Sequence, residues 1–152
     1  MAKMFQNKSA TFYINLLTLL LGLVGTVFFA LSYMTGYVSI VYGMNNSITI
    51  TVMLAAIIVL SALIIAFQIM GKVHVKEVYH VAMYILVILL TLSAGLLLAD
   101  RVEAIGNCII APWDAGHGGE ESCYLAFVSM GCWLVAVTAN IVGSFIGYKE
   151  NN

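Results

Sequence analysis

Residues 108 to 123, CIIAPWDAGHGGEESC, concentrate the side chains able to do chemistry. The stretch holds three of the seven acidic residues, one of the three histidines, two of the three cysteines and the single proline. Cys108 and Cys123 stand at its two ends, and a disulfide between them is the simplest reading for cysteines on an oxidising face of a membrane. Closing a ring of that size stabilises a fold by about 3 kcal/mol in the chain-entropy model. The competing reading is a thiol oxidoreductase that passes electrons to a quinone. Such chemistry favours a Cys-x-x-Cys pair, which lowers one thiol's pKa for exchange, and the chain has none.

His117 with Asp114, Glu120 and Glu121 supplies nitrogen and oxygen ligands within a short span. A catalytic zinc site usually carries at least two His or Cys ligands at fixed spacing. The other histidines, His74 and His80, fall on the opposite side in the threading derived below. His117, Asp114 and Glu120 are therefore weak metal candidates, and the expected state is no metal and no cofactor. The run GHGGEE lacks the Lys-Ser/Thr of a phosphate loop, and its acids would repel phosphate. Ile109, Ile110 and Trp113 are unusually apolar for an exposed loop. They are candidate partner contacts, since tryptophan is favoured at interface hot spots, or they pack down onto the molecule.

These residues must be held by a chain that is 62% hydrophobic and 9% charged, with a mean hydropathy of +1.04. Soluble proteins carry about a quarter charged residues. Between Lys8 and Lys72 there is no charged residue at all. Lipid is the solvent such a stretch requires. Four windows reach the roughly 20 apolar residues needed to span a bilayer, at about 12–34, 48–70, 78–99 and 123–147. Unbroken apolar runs of this length predict helices, because backbone groups in lipid must pair within their own segment. The first window has lysines ahead of it and a small-residue site at Ala30 and Ser32, but its run is longer than a signal peptide's and is read as a retained helix.

The fold expected is an all-α integral membrane protein. Residues 1–152 form one four-transmembrane-helix bundle, with a short disulfide-closed extracytoplasmic loop between helices 3 and 4. Outer loops then cover residues 35–47 and 100–122, and an inner loop residues 71–77. The segment DRVEAIGN extends the third helix by a turn or two before Gly106 ends it. Lys3, Lys8, Lys72, Lys76 and Lys149 share one side, against Arg101 alone on the other. The positive-inside rule then places both termini in the cytoplasm, with the protein in a cell membrane, plasma or bacterial inner. Tyr33, Tyr37 and Tyr42 sit at interface depth and read as anchors. The net charge of −1 and the lack of a basic patch exclude nucleic-acid binding.

Inside the spans the only amides are Asn15, Gln68 and Asn140, all in the cytoplasmic half, where cross-helix hydrogen bonds are worth about 0.6 kcal/mol each. No charge is expected at mid-span, which counts against an ion-coupled transporter. Cys132 reads as an inert apolar residue. Small residues at four-residue steps, Gly22 and Thr26 in the first helix and Ala139, Gly143 and Gly147 in the fourth, mark close helix packing within the chain or with a neighbour. The topology resembles that of MARVEL-type tetraspan membrane proteins, in architecture alone.

The function expected is non-enzymatic. The chain reads as a structural or accessory subunit, or a scaffold, whose partners are the bilayer and either further copies of itself or other membrane-protein subunits. A second class is a channel or transporter subunit for small neutral solutes, which predicts a continuous polar stripe from the outer face to Asn140. The third is the oxidoreductase built on Cys108 and Cys123.

Overall fold

A computed structural model describes residues 10–35, 46–69, 76–110 and 119–150, and these are all helical apart from Thr35 and Asn46 at helix ends. Helix α1 is Ala10–Met34, α2 is Ser47–Ile69, α3 is Lys76–Ile110 and α4 is Gly119–Glu150. Each contains a stretch long and apolar enough to cross a membrane: Ala10–Met34, Ser47–Ile69, His80–Val102 and Glu120–Phe145. No strand occurs among the described residues.

The helices form a ring in chain order. α1 packs on α2, α2 on α3, α3 on α4, and α4 returns to α1 in the most extensive contact of the four. Between 28% and 39% of each span is buried, so every helix turns one face inward and leaves the others for lipid. The outward faces are apolar, with Leu20, Val27, Val52, Val59, Ile88, Val135 and Phe145 all well exposed. Ile50, Leu54, Ile57, Met83, Leu86, Leu90, Leu97 and Trp133 fill the interior.

Apolar burial does not drive helices together in lipid, whose tails are as apolar as leucine, so close packing and hydrogen bonds must do so. The α1–α4 seam supplies both. Gly25 lies so close to the Trp133 indole that a Cβ there would overlap it. A Cβ on Gly143 would come within 2.9 Å of Ile14 Cγ2. Ser129 Oγ donates to the Gly25 carbonyl at 2.7 Å, and Ser122 Oγ donates to the Ser32 carbonyl. Of the small residues expected to pack closely, Gly143 does so within the chain. Gly22 has ordinary room, 3.8 Å to Ile57, and the Thr26 hydroxyl bonds back to the Gly22 carbonyl of its own helix at 2.7 Å. Ala139 is half-buried, and the surroundings of Gly147 lie outside the described residues.

Three expectations are corrected. The third helix does not end at Gly106 but runs to Ile110, and α4 begins at Gly119, so most of the loop expected over 100–122 is helix. One glycine costs a helix only about 1 kcal/mol relative to alanine, which cannot stop a helix already propagated through a span. The next strong breaker is Pro112.

The disulfide between Cys108 and Cys123 is not formed; Cys123 and Cys132 are thiols. Arg101 and Ser122 reach the same Ser32 carbonyl and so stand at one depth. Cys108 lies seven residues further along the unbroken α3, about 10 Å beyond that depth at 1.5 Å per residue. Cys123 is one residue from Ser122 in the opposite direction. A disulfide holds its Cα atoms within about 7 Å. The third correction concerns Arg101, which is not an outer-loop residue but part of the bundle interior.

Candidate functional site

The end of the ring where α1 and α3 finish and α2 and α4 begin is the far end; the other, where α1 begins and α4 finishes, is the terminal end. Polar side chains gather at two depths, one near each end.

The far-end cluster is built on Asp100 and Arg101. The inward positions of α3 recur as Met83, Leu86, Leu90, Ser93, Ala94 and Leu97. The same three- and four-residue steps bring Arg101 onto that face. Its guanidinium is fully buried. It lies 4.2 Å from the Tyr33 ring centroid, and Nη2 donates to the Ser32 carbonyl at 3.2 Å. A cation over an aromatic face is favoured most where water is excluded.

Asp100 accepts from the Tyr33 hydroxyl at 2.8 Å, from Asn46 Nδ2 at 2.6 Å and from the Asn46 backbone N–H at 3.2 Å. Asn46 starts α2, since its carbonyl takes the first helical bond from the Ile50 N–H. Asp100 and Arg101 thus tie α3 to the end of α1 and the start of α2, and Ser122 ties α4 to the same turn of α1. All four helices meet at this clasp. A buried charge is costly unless paired and hydrogen-bonded, and the Ser32 carbonyl and the Tyr33 ring supply part of that need.

Below the clasp the interior is largely apolar. Phe29 packs edge-on against Tyr33, with centroids 4.9 Å apart, and tilts toward Trp133 at 6.0 Å. Ser129 and Ser93 lie in this zone, each satisfied by a backbone carbonyl.

The second cluster lies toward the terminal end. Ser122 opposite Ser32 and Ser129 opposite Gly25 set an antiparallel register that brings Asn140 to the depth of Asn15. Both amides are buried, as are Thr18 and Ser61. Thr18 Oγ1 donates to the Ile14 carbonyl at 3.1 Å. The cross-helix bond expected of Asn140 is not made: neither Oδ1 nor Nδ2 has a hydrogen-bond partner in the protein. Gln68 is half-buried on α2 nearer the terminal end. Between the two clusters Phe29, Trp133 and Leu90 belong to the apolar core.

Other expected site residues are not brought together here. Glu120 is exposed and accepts from the Tyr124 hydroxyl of its own helix at 3.0 Å. Among the described residues no three His, Cys, Asp or Glu side chains converge. His74, Trp113, Asp114, His117, Tyr37 and Tyr42 lie outside the described residues. So do the side chains of Cys108, Ile109 and Ile110, whose backbone closes α3. Sequence reasoning missed the clasp and Ser61. The repeat of inward positions on α3 was the available signal for Arg101; nothing local marked Tyr33 or Asn46 as its neighbours.

The class of protein so defined is an all-helical one with four helices able to cross a membrane. No protein-family model, curated protein or solved structure matches the chain.

Proposed function

We propose that this chain is a non-enzymatic accessory subunit of a membrane assembly, engaging its partner at the far end through the tip of α3. One observation carries the reading. α3 continues eight residues past its apolar span, from Val102 to Ile110, a projection of about 12 Å. Its sequence closes on Ile109 and Ile110, with Trp113 three residues on. A helix whose sequence carries isoleucines past its apolar span offers a partner a contact that lipid does not give. The clasp supplies a fixed base for that tip, because Asp100 and Arg101 lie just beneath it and join it to the other three helices.

Self-association through the small-residue seam has less support, since Gly25 and Gly143 are already filled by Trp133 and Ile14. In this reading the terminal end faces the cytoplasm of a plasma or bacterial inner membrane. Lys76 and Lys149 belong to the helix ends found there, Lys3, Lys8 and Lys72 adjoin those helix ends in sequence, and the single arginine is taken up by the bundle.

The test is a photocrosslinking residue at position 110 in the full chain in native membranes, followed by gentle extraction and native mass spectrometry. A discrete adduct at fixed stoichiometry, lost when Ile109→Asp is added while the bundle keeps its melting temperature, is the expected result. A monomer with no adduct overturns the reading.

A further inference from the structure

Ser61 and Asn140 project from opposite corners of the ring. On α1, Gly22 faces Ile57 of α2, which sets Ser61 at the depth of Thr18. The α1–α4 register sets Asn140 at the depth of Asn15. Thr18 and Asn15 are less than one turn apart, so the two side chains enter the interior within about 5 Å of each other in depth. Asn140 is fully buried and Ser61 nearly so. The Ser61 hydroxyl and both ends of the Asn140 amide lack any hydrogen-bond partner in the protein.

Ser61 departs from a habit of this molecule. A helical hydroxyl in an apolar setting normally bonds back to the carbonyl four residues earlier. Thr18, Thr26, Thr51, Thr91, Ser93, Thr138 and Ser144 all do so. Ser122 and Ser129 instead cross to carbonyls of α1. The Ser61 oxygen, like the Asn140 amide, is buried with no hydrogen-bond partner in the protein. Unpaired polar groups in a dry interior are strongly disfavoured, and two from separate helices at one depth share a single remedy.

We propose that Ser61 and Asn140 form an intramembrane site for a small uncharged molecule bearing both a donor and an acceptor, of which water is the smallest. The Asn140 Nδ2 group donates to the occupant and Oδ1 accepts from it. The Ser61 hydroxyl does either. Thr18 and Asn15 of α1 and Met83 and Leu86 of α3 are buried near the same depth. An ion is a poor occupant, because among the described residues no Asp, Glu, Lys or Arg reaches this depth. The Arg101 guanidinium is held at the level of Ser32, about 21 Å nearer the far end than Thr18. His80, half-buried on α3, lies between one and two turns nearer the terminal end. The site is independent of the partner contact proposed above.

The experiment is water-selected magnetisation transfer on the full chain with 15N-labelled asparagine side chains, in lipid nanodiscs, with and without added glycerol. The expected result is direct transfer from water to one side-chain amide pair that disappears in Asn140→Leu and weakens in Ser61→Ala. Transfer that persists in glycerol identifies resident water. Transfer that glycerol suppresses, while bilayer-exposed signals stay unchanged, identifies a site open to small neutral solutes. An Asn140 amide that is visible and sharp but receives no magnetisation from water, with or without glycerol, overturns the proposal. Should Asn140→Leu fail to fold, Ser61→Ala carries the test. It perturbs a single amide pair two helices away only if the two side chains share an occupant.

Discussion

At the residue scale, Asp100 does more than its position suggests. Its carboxylate takes three hydrogen bonds from two helix ends, the end of α1 and the start of α2. Replacing it with alanine leaves the Tyr33 hydroxyl and the Asn46 amide without their acceptor and removes the counter-charge beside Arg101. Bonds to charged groups contribute about 1.5–3 kcal/mol each in favourable settings, and some of that returns as new bonds to water at this end of the bundle. Asp100→Ala is expected to destabilise the protein by about 2–4 kcal/mol, read as a lowered midpoint of thermal unfolding in detergent. A second residue-scale prediction tests the α1–α4 seam. Gly25→Ala must displace the Trp133 indole, and overpacking of this kind costs about 1–3 kcal/mol. Gly22→Ala, with 3.8 Å of clearance, is expected to leave the midpoint nearly unchanged.

The element that departs most from expectation is α3. A single continuous helix from Lys76 to Ile110 must leave the membrane and continue in water. Its last turns therefore rest on helix propensity and on the clasp beneath them, since lipid no longer enforces backbone pairing there. Gly106 is the weak point. A Cβ at this position meets nothing within 4 Å, so Gly106→Ala gains propensity at no steric cost. It is expected to strengthen the projection by about 0.5–1 kcal/mol, seen as slower amide hydrogen exchange over residues 103–110 with no change in the spans. Gly106→Pro is expected to do the reverse, because it deletes a backbone donor within the helix.

For the whole molecule, the distribution of polarity is turned about relative to a soluble protein. Apolar side chains cover the outside, while Arg101, Asn140, Asn15, Thr18 and five serines are buried. Such an interior holds its shape by specific contacts more than by burial, so the loss of one clasp member should be felt across all four helices. The proposed threading gives a further expectation. A cysteine placed at Glu150, in a chain with Cys108, Cys123 and Cys132 replaced by serine, should react with a membrane-impermeant maleimide only from the cytoplasmic side of sealed cells or vesicles. Labelling from outside in intact cells would reverse the assigned orientation.

The apolar windows alone made four membrane-crossing helices legible, because lipid leaves the backbone no other way to pair over some 20 residues. Helix ends were less legible. Gly106 looks like a stop in sequence, but a helix propagated through a span passes one glycine at small cost. Pairings across the ring were not legible at all. Whether Cys108 could meet Cys123 depended on the length of α3 and its register with α4, neither of which is encoded between the two cysteines. Arg101 read as a loop charge until α3 was seen to carry it inward to Tyr33 and Ser32. Ser61 and Asn140 are 79 positions apart. Only the antiparallel registers of α1 with α2 and with α4 set them at one depth, because contacts between distant segments follow from how whole helices pack rather than from the residues beside each one.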